Sequence, residues 1–199
     1  LLDFVDTLIE DQYQRALDNV EQLVCFDYGD SSTVGLMMCH VFGVRDQRAY
    51  PFAVDLGVAM QITNIARDIL EDAERDRLYV PSTLLDAPVS CEGLTQGDAD
   101  QRANAYQGAM RMLDIADEYY ASAALGYGYL PPSVRQAIKV AARLYQAIGE
   151  KVSRNETAYW QRRTVVSTER KCLLIAELFV QRMRDGSSTL KVGKYQHAE

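Results

Sequence analysis

Proline is scarce: five in 199 residues, at Pro51, Pro81, Pro88, Pro131 and Pro132. So few helix breakers leave long stretches in which a helix can run uninterrupted. Alternation of apolar and polar residues is missing over any length, which excludes a β architecture. No apolar run approaches the ~18 residues of a membrane span, and no secretory signal precedes the first helical segment. Cys25, Cys39, Cys91 and Cys172 show no paired spacing. A zinc site or disulfide frame is therefore not expected, and reduced thiols point to the cytoplasm. Positive charge is in deficit, with a net charge of −7. That excludes general nucleic-acid binding, which needs a basic field. Histidine occurs twice. His40, alone in an apolar stretch, reads as a satisfied core residue, and His197 lies near the end of the chain; neither is given a role.

What is present is apolar surface, 48% of residues, enough for a sizeable core. The length suits one domain or part of one. The chain opens on Leu1 inside an apolar pattern, so it is expected to start mid-domain, as a processed chain or a fragment. Helical spacing runs from Leu1 to Tyr28, through Leu8, Tyr13, Ala16 and Val20, and "GDSST" at 29–33 breaks it. Val34 to Val44 is a short apolar segment. Gln47 to Glu74 reads as one long helix, with Val54, Val58, Ile62, Ile65 and Ile69 on one face. Pro81 to Gly97 reads as irregular. Asp98 with Gln101 forms a capping-box pattern, and Ser133 with Gln136 another. Between them, Tyr106, Met110, Leu113, Ala116 and Tyr120 line a helix that "LGYGYLPP" ends. After them, Val134, Ile138, Ala141, Tyr145, Ile148 and Val152 line the next. A last helix spans about Ser167 to Arg184. The class is all-α, one helical domain over 1–185 with a mobile tail at 186–199.

The chemistry concentrates in "QITNIARDILEDAERDRLYVP", Gln61 to Pro81. Gln61, Asn64, Asp68 and Asp72 sit at offsets 0, 3, 7 and 11 and make one polar stripe of a helix. Glu71 lies beside it, and Glu74 and Asp76 fall at the helix end, towards water. Hard oxygen ligands one turn apart suit Mg²⁺, which keeps waters and phosphate oxygens as its other ligands. Any exposed helix can carry Asp at i and i+4, so the pair by itself is a weak signal. Its alignment with Gln and Asn, opposite an apolar face, gives it weight, because carboxylates facing a bundle interior are costly unless something pairs with them.

"VAMQITNIARDILEDAERDRLYVP" resembles the second aspartate-rich signature of the phytoene synthase and squalene synthase family. "TVGLMMCHVFGV", the "GYGYLPPSVRQAIKVAARLYQAIGEKV" segment and "QRRTVVSTERKCLLI" are similar to the family's segments on either side. The resemblance covers nearly the whole chain to about Arg184. It implies an isoprenoid (terpenoid) synthase bundle, here its C-terminal two-thirds. The implied reaction is Mg²⁺-dependent, with Mn²⁺ an alternative. It joins two prenyl diphosphates head to head through a cyclopropyl diphosphate, with geranylgeranyl diphosphate going to phytoene. Two alternatives stand beside it: a squalene or dehydrosqualene synthase using farnesyl diphosphate, and a non-catalytic assembly protein of the same fold. Carried over residue by residue, Asp68, Asp72 and Asn64 hold metal, with the two aspartates catalytic. Gln61, Asn64, Tyr145 and Arg163 bind diphosphate. Tyr145 is equally readable as a core aromatic, and Arg163 as a surface residue, although Arg162 is the more exposed candidate. Arg67, Arg77 and Tyr79 belong to the signature as structural or entrance residues. Val58, Met60, Leu36 and Met37 are expected to line an apolar cavity. Lipid substrates imply peripheral membrane contact at most.

Two departures from the family pattern stand out. An earlier aspartate-rich motif is absent from these 199 residues, which would leave the site half furnished with carboxylates. "FDYGDSSTVG" replaces the usual Tyr-Cys-x-x-Val-Ala-Gly run, putting Phe26 where a tyrosine is expected and Asp30, Ser31 and Ser32 in place of Val-Ala-Gly. The second bears on the rearrangement step more than on diphosphate departure.

Overall fold

The computed structural model describes residues 17–27 and 33–193, with backbone alone at 26–27, 182 and 185–193. Leu1 to Ala16, Tyr28, the residues 29–32 that hold the expected break and the Asp30-Ser31-Ser32 departure, and His197 lie outside the described residues, as does the side chain of Phe26. Within them the protein is all-α, with no β-strand. The helices are α1 (Val20–Asp27), α2 (Thr33–Val41), α3 (Tyr50–Arg67), α4 (Ile69–Ala73), α5 (Cys91–Gln96), α6 (Ala99–Leu125), α7 (Pro132–Val152), α8 (Glu156–Gln161) and α9 (Thr168–Gly193).

α3 is the central element, in contact with α1, α2, α6 and α7, while α9 lies on α7. Pro51 opens α3 where a missing N–H costs nothing. Its Val58, Ala59, Ile62, Thr63, Ile65 and Ala66 are buried, largely against α6. α6 answers with small residues, Ala105, Ala109, Ala116 and Ala123, so the two backbones approach closely. The buried Thr63 hydroxyl donates to the Ala59 carbonyl (2.8 Å) and shares a hydrogen bond with the Tyr120 hydroxyl (3.0 Å). The buried hydroxyl pair of this interface is thereby satisfied.

The expected single helix from Gln47 to Glu74 is three pieces. A 3₁₀ turn, Gln47–Ala49, is capped by the Asp46 carboxylate, which accepts from Arg48 N. α3 then runs to Arg67, and Asp68 breaks the helix at φ −105°, ψ 17° before α4. The cause is Tyr159 of α8. Its buried hydroxyl donates to the Ala66 carbonyl (2.8 Å) and meets the Ile69 N–H, so a side chain is inserted in the helical hydrogen-bond ladder. Such insertion is a recognised source of kinks. Helix α4 closes when Arg77 N donates to the Asp72 carbonyl (3.0 Å), with Asp76 in the left-handed region at φ 59°.

Four further expectations are corrected. Pro81 to Gly97 is not wholly irregular: Ser90 accepts from Gly93 N to start α5, and Gly97, at φ 84°, ends it. The Asp98 box is half formed. Asp98 accepts from the N–H groups of Asp100 and Gln101, but Gln101 turns its carbonyl to Ser90 N (2.8 Å). The Asp98 N–H goes to the Gly93 carbonyl instead. Ser133 caps nothing: α7 starts on Pro132 with Pro131 at its cap, and the Pro131 carbonyl takes the N–H groups of Val134 and Arg135. The last helix passes Arg184 and continues to Gly193.

Candidate active site

One face of α3, extended back by one turn, forms a wall: Ala49, Phe52 and Ala53, Leu56 and Gly57, Met60 and Gln61, then Asn64. It borders a cavity of about 440 Å³. The opposing walls come from α2 (Val34, Gly35, Met38, Cys39, Phe42), from the end of α6 and the turn after it, and from Ile138, Ala141 and Tyr145 of α7. α2 seats against α3 because Gly35 has no side chain: a Cβ there would lie 2.6 Å from the Ala53 carbonyl oxygen. Met60 lines the cavity as expected. Val58 does not; it is 1% exposed in the core, and the α2 residues facing the space are neighbours of Leu36 and Met37, one position off the expected register. His40 is exposed rather than buried, its Nδ1 2.9 Å from the Leu36 carbonyl.

The wall is graded. It is apolar from Ala49 to Met60 and turns polar at Gln61 and Asn64, whose amide groups lie 3.4 Å apart, with Tyr145 opposite. Tyr145 also borders a second, smaller cavity of about 300 Å³ that carries Arg67, Arg163 and Lys171. Tyr145 packs against the core, as the core-aromatic reading expects, and it also lines the cavity. Sequence reasoning gave Arg67 no binding role and passed over Lys171. Arg67 could have been found as the cation adjoining Asp68. Lys171 opens α9 and has no spacing relation to the stripe.

Asp68 and Asp72 lie past the helix break and do not border the apolar cavity. Asp68 is gripped from two sides. Arg67 donates Nε to Oδ1 (2.6 Å) and Nη2 to Oδ2 (2.5 Å). Arg163 does the same at 2.9 and 2.7 Å. These are paired, charge-assisted forks. Burial pushes the Asp68 carboxyl up, but the hydrogen bonds of Arg67 and then Arg163 outweigh it and hold the group below its ordinary value. Arg163, half exposed, is raised chiefly by its hydrogen bond to Asp68. Asp72 goes the other way. Burial first, then the Asp68 charge, raises its carboxyl from 3.8 to about 6, against the easing effects of Arg75 and Arg77. Glu74 and Asp76 are exposed, as expected.

Among the described residues no three His, Cys, Asp or Glu side chains converge tightly enough to hold a metal ion. The donor set nevertheless fits a hard divalent cation as one side of a shared site. The high Asp72 carboxyl marks an under-compensated anion, and a cation would relieve it. Asp68 could join such a site only with one of its two guanidiniums displaced.

The fold resembles the crystal structure of a dehydrosqualene synthase in complex with ligand, with a TM-score of 0.73 at 22% identity, over 92% of this chain and 64% of that one. This likeness defines an isoprenoid-synthase helical fold. The sequence matches the family described as squalene/phytoene synthase over residues 1–170. It is 38% identical over 175 residues to the phytoene synthase of Pseudescherichia vulneris, covering 87% of this chain and 56% of that one. It is also 38% identical over 168 residues to the 15-cis-phytoene synthase of Enterobacter agglomerans, covering 83% and 56%. The chain belongs to the squalene/phytoene synthase family. It spans a little over half the length of these curated relatives.

Proposed function

We propose that the full-length protein is a prenyltransferase that joins two prenyl diphosphates head to head, converting geranylgeranyl diphosphate to phytoene through the cyclopropyl (prephytoene) diphosphate. The observation that carries this reading is the graded wall. An apolar cavity ends in Gln61, Asn64 and Tyr145 and adjoins a pocket holding Arg67, Arg163 and Lys171, which is the polarity of an allylic diphosphate laid lengthwise. The relatives named as phytoene synthases support the longer substrate.

In this reading Asp68, Asp72 and Asn64 hold Mg²⁺ or Mn²⁺, which supplies positive charge to the departing diphosphate. Arg163, the more exposed of the two guanidiniums on Asp68, transfers its fork from the carboxylate to the diphosphate oxygens. Gln61, Asn64 and Tyr145 offer hydrogen-bond donors at the head of the cavity. The apolar walls keep water from an allylic cation, which water would quench. No described helix is long and apolar enough to cross a membrane. Peripheral contact with a bilayer belongs to the proposal because the substrates are amphiphiles, and flotation of the full-length protein with vesicles tests it.

The deciding assay incubates full-length protein with geranylgeranyl or farnesyl diphosphate and Mg²⁺. A C40 hydrocarbon or its cyclopropyl diphosphate precursor is expected from the former, with loss of product in EDTA. Product from farnesyl diphosphate alone would establish the squalene-type alternative. Folded protein that releases no diphosphate from either would establish the non-catalytic one, in which the double fork on Asp68 is a permanent tie.

A further inference from the structure

We propose that Phe52 ends the prenyl-chain cavity and sets the longest chain it admits, with Gly126 as the residue that positions it. The inference rests on the reading of the cavity as a prenyl diphosphate site and deepens it. On the cavity face of α3, Phe52 is the first bulky ring met on moving away from the polar head. It lies nine residues before Gln61 and twelve before Asn64, or about 14 and 18 Å along the axis at 1.5 Å per residue. An extended isoprene unit adds roughly 5 Å by ordinary bond lengths. The span therefore holds about three units and part of a fourth, so the fourth ends against the ring and a fifth has no room.

The ring is held from two directions. A Cβ on Gly126 would fall 2.2 Å from the Phe52 Cβ and 2.7 Å from its Cγ, so the main chain of the turn after α6 presses directly on Phe52. The Tyr129 ring stacks on it, with centroids 6.0 Å apart and planes 15° from parallel. Tyr129 is covered in turn by the Arg48 guanidinium, 5.6 Å from its centroid. A side chain so backed resists displacement by an incoming chain, as a length stop requires. Phe52 is half-buried and borders the cavity, so its ring is not committed to the core.

The test measures kcat/KM of the full-length protein with Mg²⁺ and all-trans C15, C20 and C25 diphosphates. Phe52→Ala is expected to raise the C25-to-C20 ratio about tenfold or more, in line with the discrimination a pocket makes on a few carbons. Gly126→Ala, whose new methyl would clash with the Phe52 Cβ at 2.2 Å and so must shift the ring's seat, is expected to change the C20-to-C15 ratio in folded protein. Phe52→Leu, which keeps an apolar side chain against Gly126, shows the first shift in smaller degree and serves if the alanine variant does not fold. Ratios unchanged from wild type in folded Phe52 variants overturn the proposal. The same ratios are read from calorimetric binding of the corresponding thiodiphosphates. Length-graded binding without turnover would sink the condensation reading and leave the length stop standing. Turnover with unchanged ratios would do the reverse. Absence of binding at every length overturns the length stop as well.

Discussion

Asp68 and Asp72 stand one helical turn apart in sequence and carry opposite electrostatic burdens. Arg67 and Arg163 hold Asp68 down, whereas burial and the Asp68 charge drive Asp72 up to about 6. Asp68→Asn removes the charge that two guanidiniums share. With Arg163 half exposed, the expected loss of stability is modest, roughly 1–2 kcal/mol by chemical denaturation. Turnover of the full-length protein should fall at least about a hundredfold, the scale of losing one charge-stabilising group. Persistent turnover would remove Asp68 from the metal assignment. For Asp72 the sign is fixed by its raised carboxyl. The folded state takes up a proton more readily than the unfolded chain, so ionised Asp72 costs stability above pH 6, and the cost fades as pH falls towards 3.8. Asp72→Asn is therefore expected to raise the melting temperature near neutral pH in EDTA and to lose that advantage near pH 4. Asp68 behaves conversely: its contribution is present above the ordinary carboxylate range and disappears as pH falls through its lowered value. A pH-independent effect of Asp72→Asn would contradict this arrangement.

At the scale of elements, the break between α3 and α4 decides where the carboxylates go. An unbroken helix would continue the stripe of Gln61 and Asn64 straight through Asp68 and Asp72. Tyr159 interrupts it from 93 residues away, accepting the Ile69 N–H and donating to the Ala66 carbonyl. Tyr159→Phe leaves that buried carbonyl without its donor, at an expected cost of about 1–3 kcal/mol. It also takes away the acceptor of the Ile69 N–H. Faster amide exchange around Ile69 and a drop in kcat larger than any change in KM are expected; a variant with wild-type stability and turnover would show that the break has another cause. The helix pattern was legible in sequence because period and proline placement are local properties. The break was not, since neither Asp68 nor its neighbours is a helix breaker and the agent is distant in sequence. Ser133 failed as a cap for a related reason: the chain before it is held by Pro131 and Pro132, whose geometry already suits a helix start.

At the scale of the molecule, the site is a wall with one polar end, and several apolar side chains remain uncovered around it. Val34, Met37, Met38 and Val41 on α2, Leu125 at the end of α6, and Leu173, Phe179, Val180 and Met183 on α9 are all exposed. On α9 these four fall within one arc of the helix. Contiguous apolar surface of this kind is rarely left to water. Residues 1–199 expressed alone are expected to self-associate, which sedimentation velocity would register as species heavier than 22.4 kDa. A dispersed monomer over a broad concentration range would show that the faces are tolerated.

By itself the sequence determined the all-α class and the family, and it singled out Gln61, Asn64, Asp68, Asp72, Tyr145 and Arg163 as candidates, because residue type and helical period are written locally. The tertiary structure alone decided what those residues meet. It set Arg67 and Arg163 on one carboxylate, gathered Lys171 into the same basic pocket, turned Val58 into the core and Phe52 to the cavity wall, and kinked the helix with Tyr159. Each of these depends on side chains from helices far apart in the chain, where spacing carries no information and only packing does.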